Sequence, residues 1–258
     1  MKLWMKIILG IVAAIAILIG VIFYATSGIT ERADQFFAAV KTGDIHKAHG
    51  FLSEAFKKTT DEAALERYLR ANALTDFAEA NWGQREVNLN GGGLSGSIKT
   101  TSGGTVPIQL KFVKENGDWK IYSLMQPAAG LQTNAKAPAP PDEGGQVALV
   151  RQSIHDFFVS VSQKDMTHFR STVSQLWQGQ HDVAFLNDAF ESFFPIEANW
   201  AVLDNKSPIF AQAGSVNENG VLTISGHYDT SPAKVYFEQE YIYEGLSWKL
   251  LAFNIQVK

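Results

Sequence analysis

Residues 79–82 read Glu-Ala-Asn-Trp, and residues 197–200 read Glu-Ala-Asn-Trp again. The echo extends outward from there. Upstream, Phe36-Phe37 answers Phe157-Phe158 and Asp44 answers Asp165. Downstream, Trp119-Lys120 answers Trp248-Lys249. The offsets are 121, 118 and 129 residues, so small loop changes suffice between the copies. Four matches in one order, inside one hydrophobic pattern, describe a unit written twice. The length of 258 residues agrees, at roughly 150 residues per domain.

Pro127 to Gln146 separates the copies and holds four of the chain's eight prolines. Proline fixes φ and removes a donor, and no apolar period survives there, so the stretch reads as a linker. The expected organisation is a first segment over 1–30, a first domain over 31–127, a linker over 128–145 and a second domain over 146–258. The first domain carries 12 basic and 12 acidic residues, the second 7 and 12, so the second copy is the acidic one.

Each copy opens with helices. Ala33, Phe36, Phe37 and Val40 fall on one helical face, as do Val150, Ile154, Phe157, Phe158 and Val161. Asp44 and Asp165 read as N-caps of a second helix. Thr59 with Glu62 reads as a capping box for a helix carrying Leu65, Tyr68 and Leu69. Its counterpart carries Phe185, Leu186, Ala189, Phe190 and Phe193. Each copy closes with strands. Val106, Ile108, Leu110 and Phe112 alternate, as do Val235, Phe237, Gln239 and Tyr241, which is the period of a sheet with one buried face. Glu115-Asn116-Gly117-Asp118 and Glu244-Gly245-Leu246-Ser247 read as hairpin turns, and Asn90–Gly93 and Asn217–Gly220 as earlier ones. Helices followed by a meander predict an α+β fold with helices on a curved antiparallel sheet.

Ile7 to Tyr24 is an uncharged run of eighteen residues. At 1.5 Å per residue it has about the length of a bilayer core, which predicts one transmembrane helix inserted in the lipid bilayer. Lys2 and Lys6 precede it and Glu31, Arg32 and Asp34 follow it, so the N-terminus is expected in the cytoplasm and the domains outside the cytoplasmic membrane. A cleaved signal peptide ending near Ala25-Thr26-Ser27 is the competing reading.

The net charge of −4 argues against a nucleic-acid partner. The absence of cysteine excludes disulfides, a thiol nucleophile and Cys-ligated metal centres. His46 and His49 share a helix face with no third metal ligand indicated. His155 and Asp156 point about 100° apart on a helix and form no ready dyad. Gly91–Gly93 lacks the context of a phosphate loop, and G-x-S-x-G is absent. Asp44/Asp165, Glu79/Glu197 and Lys120/Lys249 are the ionisable pairs the copies share. No catalytic residue, metal or cofactor follows from these residues.

The Phe-Phe helix, the turn after it, the shorter helices and the terminal Glu-Asn-Gly-Asp-Trp-Lys hairpin resemble the nuclear transport factor 2-like (cystatin-like cone) superfamily. The resemblance covers 31–127 and again 146–258. It implies a sheet wrapped around a long helix with a conical pocket, in a superfamily of isomerases, dehydratases and non-enzymatic transport and assembly factors. An anchor before such a domain is also similar to periplasmic assembly components of type IV secretion systems, which carry one such domain. Phe37, Tyr68, Trp82, Phe158 and Trp200 are the candidate pocket-lining residues, with plain core packing as the competing role. The expected function is a non-enzymatic binding or assembly module of the envelope, with a protein or a small apolar ligand as partner. A cone-pocket isomerase or hydro-lyase is the alternative. The β-hairpin around Tyr241 carries apolar Tyr236 and Ile242 on its other face, so a second cover is expected, either a partner or the other copy in an intrachain pseudo-dimer. The linker core of 16 residues, Gly130–Gly145, reaches roughly 25 Å when half-extended, enough for that pairing.

Overall fold

A computed structural model describes residues 28–87, 91–127, 139–196 and 198–258. The chain divides into two compact units, Met1–Gln132 and Thr133–Lys258. In the first, helix α1 (28–41) is followed by α2 (Ile45–Gly50), α3 (Glu54–Thr59), α4 (Glu62–Ala71) and a 3-10 turn at Leu74–Asp76. Strands β1 (Phe77–Val87), β2 (Gly91–Thr100), β3 (Thr105–Glu115) and β4 (Asp118–Met125) then form an antiparallel meander in sequence order. The second unit repeats this plan with α5 (Glu143–Gln163), α6 (Thr167–Thr172), α7 (Gln175–Gln180) and α8 (Val183–Ala189). Two 3-10 segments follow, Glu191–Phe193 and Trp200–Asn205. Its sheet comprises β5 (Ile209–Phe210), β6 (Ser215–Val216), β7 (Val221–Tyr228), β8 (Val235–Glu244) and β9 (Ser247–Val257), all antiparallel. Each unit is α+β, as its element order predicts.

The long helices bury the stripes that the sequence assigns to them. Ile29, Ala33, Phe36, Phe37 and Val40 lie inside one core, and Val150, Ile154, Phe157, Phe158 and Val161 inside the other. Each buried Phe contributes roughly 2–3 kcal/mol of transfer free energy. Both helices stop at a left-handed residue, Gly43 (φ 72°) and Lys164 (φ 55°), after which Asp44 N–H and Asp165 N–H return to Ala39 O and Ser160 O. Asp44 then caps α2 by accepting from Lys47 N–H, while Asp165 accepts from Thr167 N–H.

The two sheets share their register. β2–β3 pairs Gly96 with Ile108 and β7–β8 pairs Gly226 with Phe237. A bulge sits between Lys111 and Phe112 in one copy and between Glu240 and Tyr241 in the other. The hairpin glutamates do the same work twice. Glu115 accepts the first N–H of α3, from Glu54, and Glu244 accepts the first N–H of α7, from Gln175. Ser53 and Ser174 cap those helices and send their own N–H groups to Ile121 O and Leu250 O.

Several expectations are corrected. Among the described residues no helix is long and apolar enough to cross a membrane. The longest, α5, has 21 residues but carries Glu143, Arg151, His155 and Asp156. The fold is therefore mixed α+β with antiparallel sheets, without a transmembrane helix as a described element. The run 7–24, expected to supply one, lies outside the described residues. The second Glu-Ala-Asn-Trp is not the structural counterpart of the first. Trp82 lies in β1, opposite Gly96, whereas Trp200 opens a 3-10 segment and Phe210 takes the place opposite Gly226. The cap of α4 is Asp61, accepting from Ala64 N–H; Thr59 ends α3 and donates to Phe56 O. Gly91–Gly93 begin strand β2 and are not themselves the turn. A Cβ on Gly92 would stand 3.1 Å from Ile29, so glycine lets α1 approach the sheet.

Candidate functional site

The second unit contains a cavity of about 370 Å³ between α5, the end of α6 and the β8–β9 hairpin. Leu149, Gln152, Ser153 and Asp156 of α5 line it at i, i+3, i+4 and i+7, one face of the helix. Ser171 and Thr172 close one side, and Tyr241, Trp248, Lys249 and Leu250 form the sheet wall.

The cavity exists because three large-or-small choices differ from the first unit. At the positions equivalent to Ser153 and Thr172, the first unit has Arg32 and Phe51, with the guanidinium 5.3 Å above the ring. At the position of Leu149 it has Gly28, where a Cβ would meet Trp119 at 2.8 Å. Trp119 thus lies on its helix. In the second unit Leu149 blocks that approach, and Trp248 sits edge-on to Tyr243 at 5.5 Å. Two side chains that fill the space are replaced by a serine and a threonine, and a third is held out.

The wall beneath is polar where the first unit is apolar. Ile98, Leu110 and Phe112 are buried in the first sheet, and Tyr228, Gln239 and Tyr241 are buried at the matching register positions of the second. The Tyr241 hydroxyl donates to Gln239 Oε1, and Ser153 Oγ lies 3.1 Å from the Tyr241 oxygen. Gln239 Nε2 and the Tyr228 hydroxyl are buried with no partner among the described residues. Burial, with Asp204 nearby and against the pull of Arg151, pushes the Tyr228 phenol from 10.0 up to about 12. Burial also pushes Tyr241 upward, against its contact with Ser153.

A phenol whose folded pKa is raised stabilises the fold fully below its unfolded pKa, and that contribution is lost as pH rises through the folded value. Between pH 10 and about 12, therefore, the second unit is expected to lose stability through Tyr228. Denaturant midpoints followed against pH should fall in that window, with phenolate absorbance rising together with unfolding. In Tyr228→Phe the fall should be shallower; an identical profile would refute the assignment.

Two His–Asp contacts flank α5. His168 Nε2 lies 3.2 Å from Asp156 Oδ1, and His155 Nδ1 lies 3.0 Å from Asp204 Oδ1. The neighbours His155 and Asp156 thus take different partners on different sides of the helix. Among the described residues no group of three His, Asp or Glu could hold a metal ion.

The sequence-derived pocket residues are placed as follows. Phe37 is buried, stacked on Phe77 at 5.4 Å and tilted against Trp82 at 6.0 Å. Trp82 donates to Asp34, and the Tyr68 hydroxyl reaches Leu124 O at 3.5 Å. Phe158 and Trp200 stack at 3.8 Å and border a small cleft of about 150 Å³ with His155 and Asp204. None of the five lines the larger cavity. Glu79 pairs with Lys99 at the surface, and Glu197 lies outside the described residues. Asp156, Tyr241 and Lys249 were the residues to find. Of these, Lys249 has an identical counterpart in Lys120, whereas Asp156 and Tyr241 stand where the first unit has Gln35 and Phe112, a correspondence that the sheet register supplies for Tyr241.

Neither the models of known protein families nor the curated proteins yield a match. Among solved structures, the chain is similar to a cystatin-like protein from Ruminococcus gnavus, with 11% identity and a TM-score of 0.30, over 92% of this chain and 94% of that chain.

Proposed function

We propose that this chain is an exported binding protein, without enzymatic activity, built from two nuclear transport factor 2-like cone domains, and that its second domain holds a small ligand in the cavity beside α5. The observation that carries the reading is the exchange of Arg32 and Phe51 for Ser153 and Thr172, which opens 370 Å³ in one copy of a repeated fold. An opened core loses packing energy, and orphaned polar atoms cost more. A chain tolerates such local losses where a site needs them. The uncharged run at 7–24 behind Lys2 and Lys6 supports a location outside the cytoplasm. Tyr241, the cavity-lining group with the shifted pKa, moves away from neutrality. It serves as a neutral hydrogen-bonding group and is a poor acid or base at physiological pH.

One contact favours the alternative, an isomerase or hydro-lyase: Asp156 with His168 beside it could move a proton at the cavity wall. A fragment screen on the full chain by protein-observed NMR separates the two. Fragments should shift Ser153, Trp248 and Leu250 and leave the protein unchanged. Ser153→Arg with Thr172→Phe, which rebuilds the first domain's filling, should abolish those shifts without unfolding the domain. Shifts that persist in the filled variant would end the reading. Chemical turnover that is lost in His168→Ala would favour the enzyme.

A further inference from the structure

We propose that the ligand of this cavity is a small zwitterion, an ammonium and a carboxylate on one apolar body, as a free hydrophobic amino acid presents. The inference rests on the binding reading above and names its ligand class. Two opposite charges line the cavity, and neither is neutralised by the other. Asp156 receives Gln152 Nε2 at 3.0 Å and His168 Nε2 at 3.2 Å, and both bonds end on Oδ1. Oδ2 has no protein donor among the described residues. The Asp156 side chain is only 8% exposed and lines the cavity, so a ligand there can reach its second oxygen, and an ammonium group is the strongest donor for it.

Lys249 supplies the opposite pole. Its counterpart in the first unit, Lys120, is engaged: the ammonium donates to Gly50 O at 3.0 Å. In the second unit Ser171 takes the position of Gly50, and the Lys249 ammonium makes no hydrogen bond or ion pair among the described residues. Asp156 projects from the helix and Lys249 from the sheet, and both border the same space. A ligand bearing both charges meets both groups, whereas an anion or a cation alone meets only one: the buried Asp156 or the half-buried Lys249. Leu149, Trp248 and Leu250 offer the apolar wall for its side chain, and the hydroxyls of Ser153 and Tyr241 offer further hydrogen bonds. A volume of about 370 Å³ lies at the small end of ligand sites, suited to one amino acid and too small for a long peptide.

The test is titration calorimetry of the full chain with L-phenylalanine, N-acetyl-L-phenylalanine and L-phenylalaninamide. L-Phenylalanine should bind. Loss of the ammonium or of the carboxylate should each weaken binding by about tenfold or more, the weight of one charge-assisted hydrogen bond. On the protein side, Asp156→Asn should erase the preference over the acetylated probe, and Lys249→Gln the preference over the amide. The analogues keep the test valid if a variant fails to fold. Equal binding of either analogue overturns the zwitterion. If L-phenylalanine gives no heat while screened fragments still occupy the cavity, the ligand class falls and the binding site stands. If neither binds, both fall.

Discussion

Gly96→Ala is expected to cost the first unit about 3 kcal/mol, a fall in melting temperature of roughly 12 °C or more for a domain of this size. A Cβ on Gly96 would stand 2.1 Å from Asn81 O and 3.0 Å from Trp82 Cα. These are backbone atoms of the paired strand, so no rotamer change relieves the clash. Gly226 repeats the geometry, with 2.2 Å to Ile209 O and 3.0 Å to Phe210 Cα. The two substitutions should nonetheless differ. β1 has 11 residues paired with β2 on both sides of the clash, so relief requires breaking a long ladder. β5 has two residues and can peel away alone. Gly226→Ala should therefore cost about 1–2 kcal/mol and appear mainly as faster amide exchange at Ala211, whose N–H bonds to Ser225 O. Thermal melts and hydrogen exchange on both variants check this. Equal losses in both would mean that β5 is held as firmly as β1.

These glycines show what a sequence reveals and what it hides. The Phe-Phe stripes and the closing hairpins were legible because each is a local pattern whose period matches its structure. Asn116 and Gly117 take the positive φ values of 52° and 88° that their turn needs. Helices α3 and α7 were not legible. Six residues give too few turns for a period, and both depend on Glu115 and Glu244, which lie about sixty to seventy residues away. The glycines that open β2 read as a turn because glycine weakens a strand in isolation; the approach of Ile29 of α1 explains Gly92. The repeated tetrapeptide pointed to two units of similar plan through a false correspondence. Trp200 does meet Phe158 as Trp82 meets Phe37, but from a different piece of backbone.

The site was hidden for a related reason. No motif marks a cavity made by the absence of Arg and Phe. Serine and threonine at 153 and 172 are unremarkable on a helix surface. Gln239 reads as one member of an alternating strand between Phe237 and Tyr241. It gains meaning only against Leu110, its partner in the other copy, and that comparison needs the register to be known.

The variant carrying both Gln239→Leu and Tyr241→Phe is expected to be more stable than the natural chain by about 1–2 kcal/mol, while Tyr241→Phe alone is less stable by a similar amount. In the natural chain Ser153, Tyr241 and Gln239 form a hydrogen-bonded series that ends on Gln239 Oε1 and leaves Gln239 Nε2 buried without a partner among the described residues. Removing only the Tyr241 hydroxyl strands Gln239 Oε1 as well, and burial of unpaired polar atoms is what costs most. Removing both polar groups restores the residues that the first unit carries, Leu110 and Phe112, and no orphan remains on the strand. Ser153 keeps access to the cavity that it lines. Urea unfolding of the natural chain, the two single variants and the pair gives the cycle, and its coupling should exceed 1 kcal/mol, as about expected for groups acting as one network. Ligand affinity should move the other way, because Tyr241 forms part of the cavity wall. A pair that gains stability and loses binding would show that the second copy departed from an apolar core to make a site. A pair less stable than the natural chain would mean that Gln239 Nε2 is satisfied in solution, and the strip would then be an ordinary part of the core.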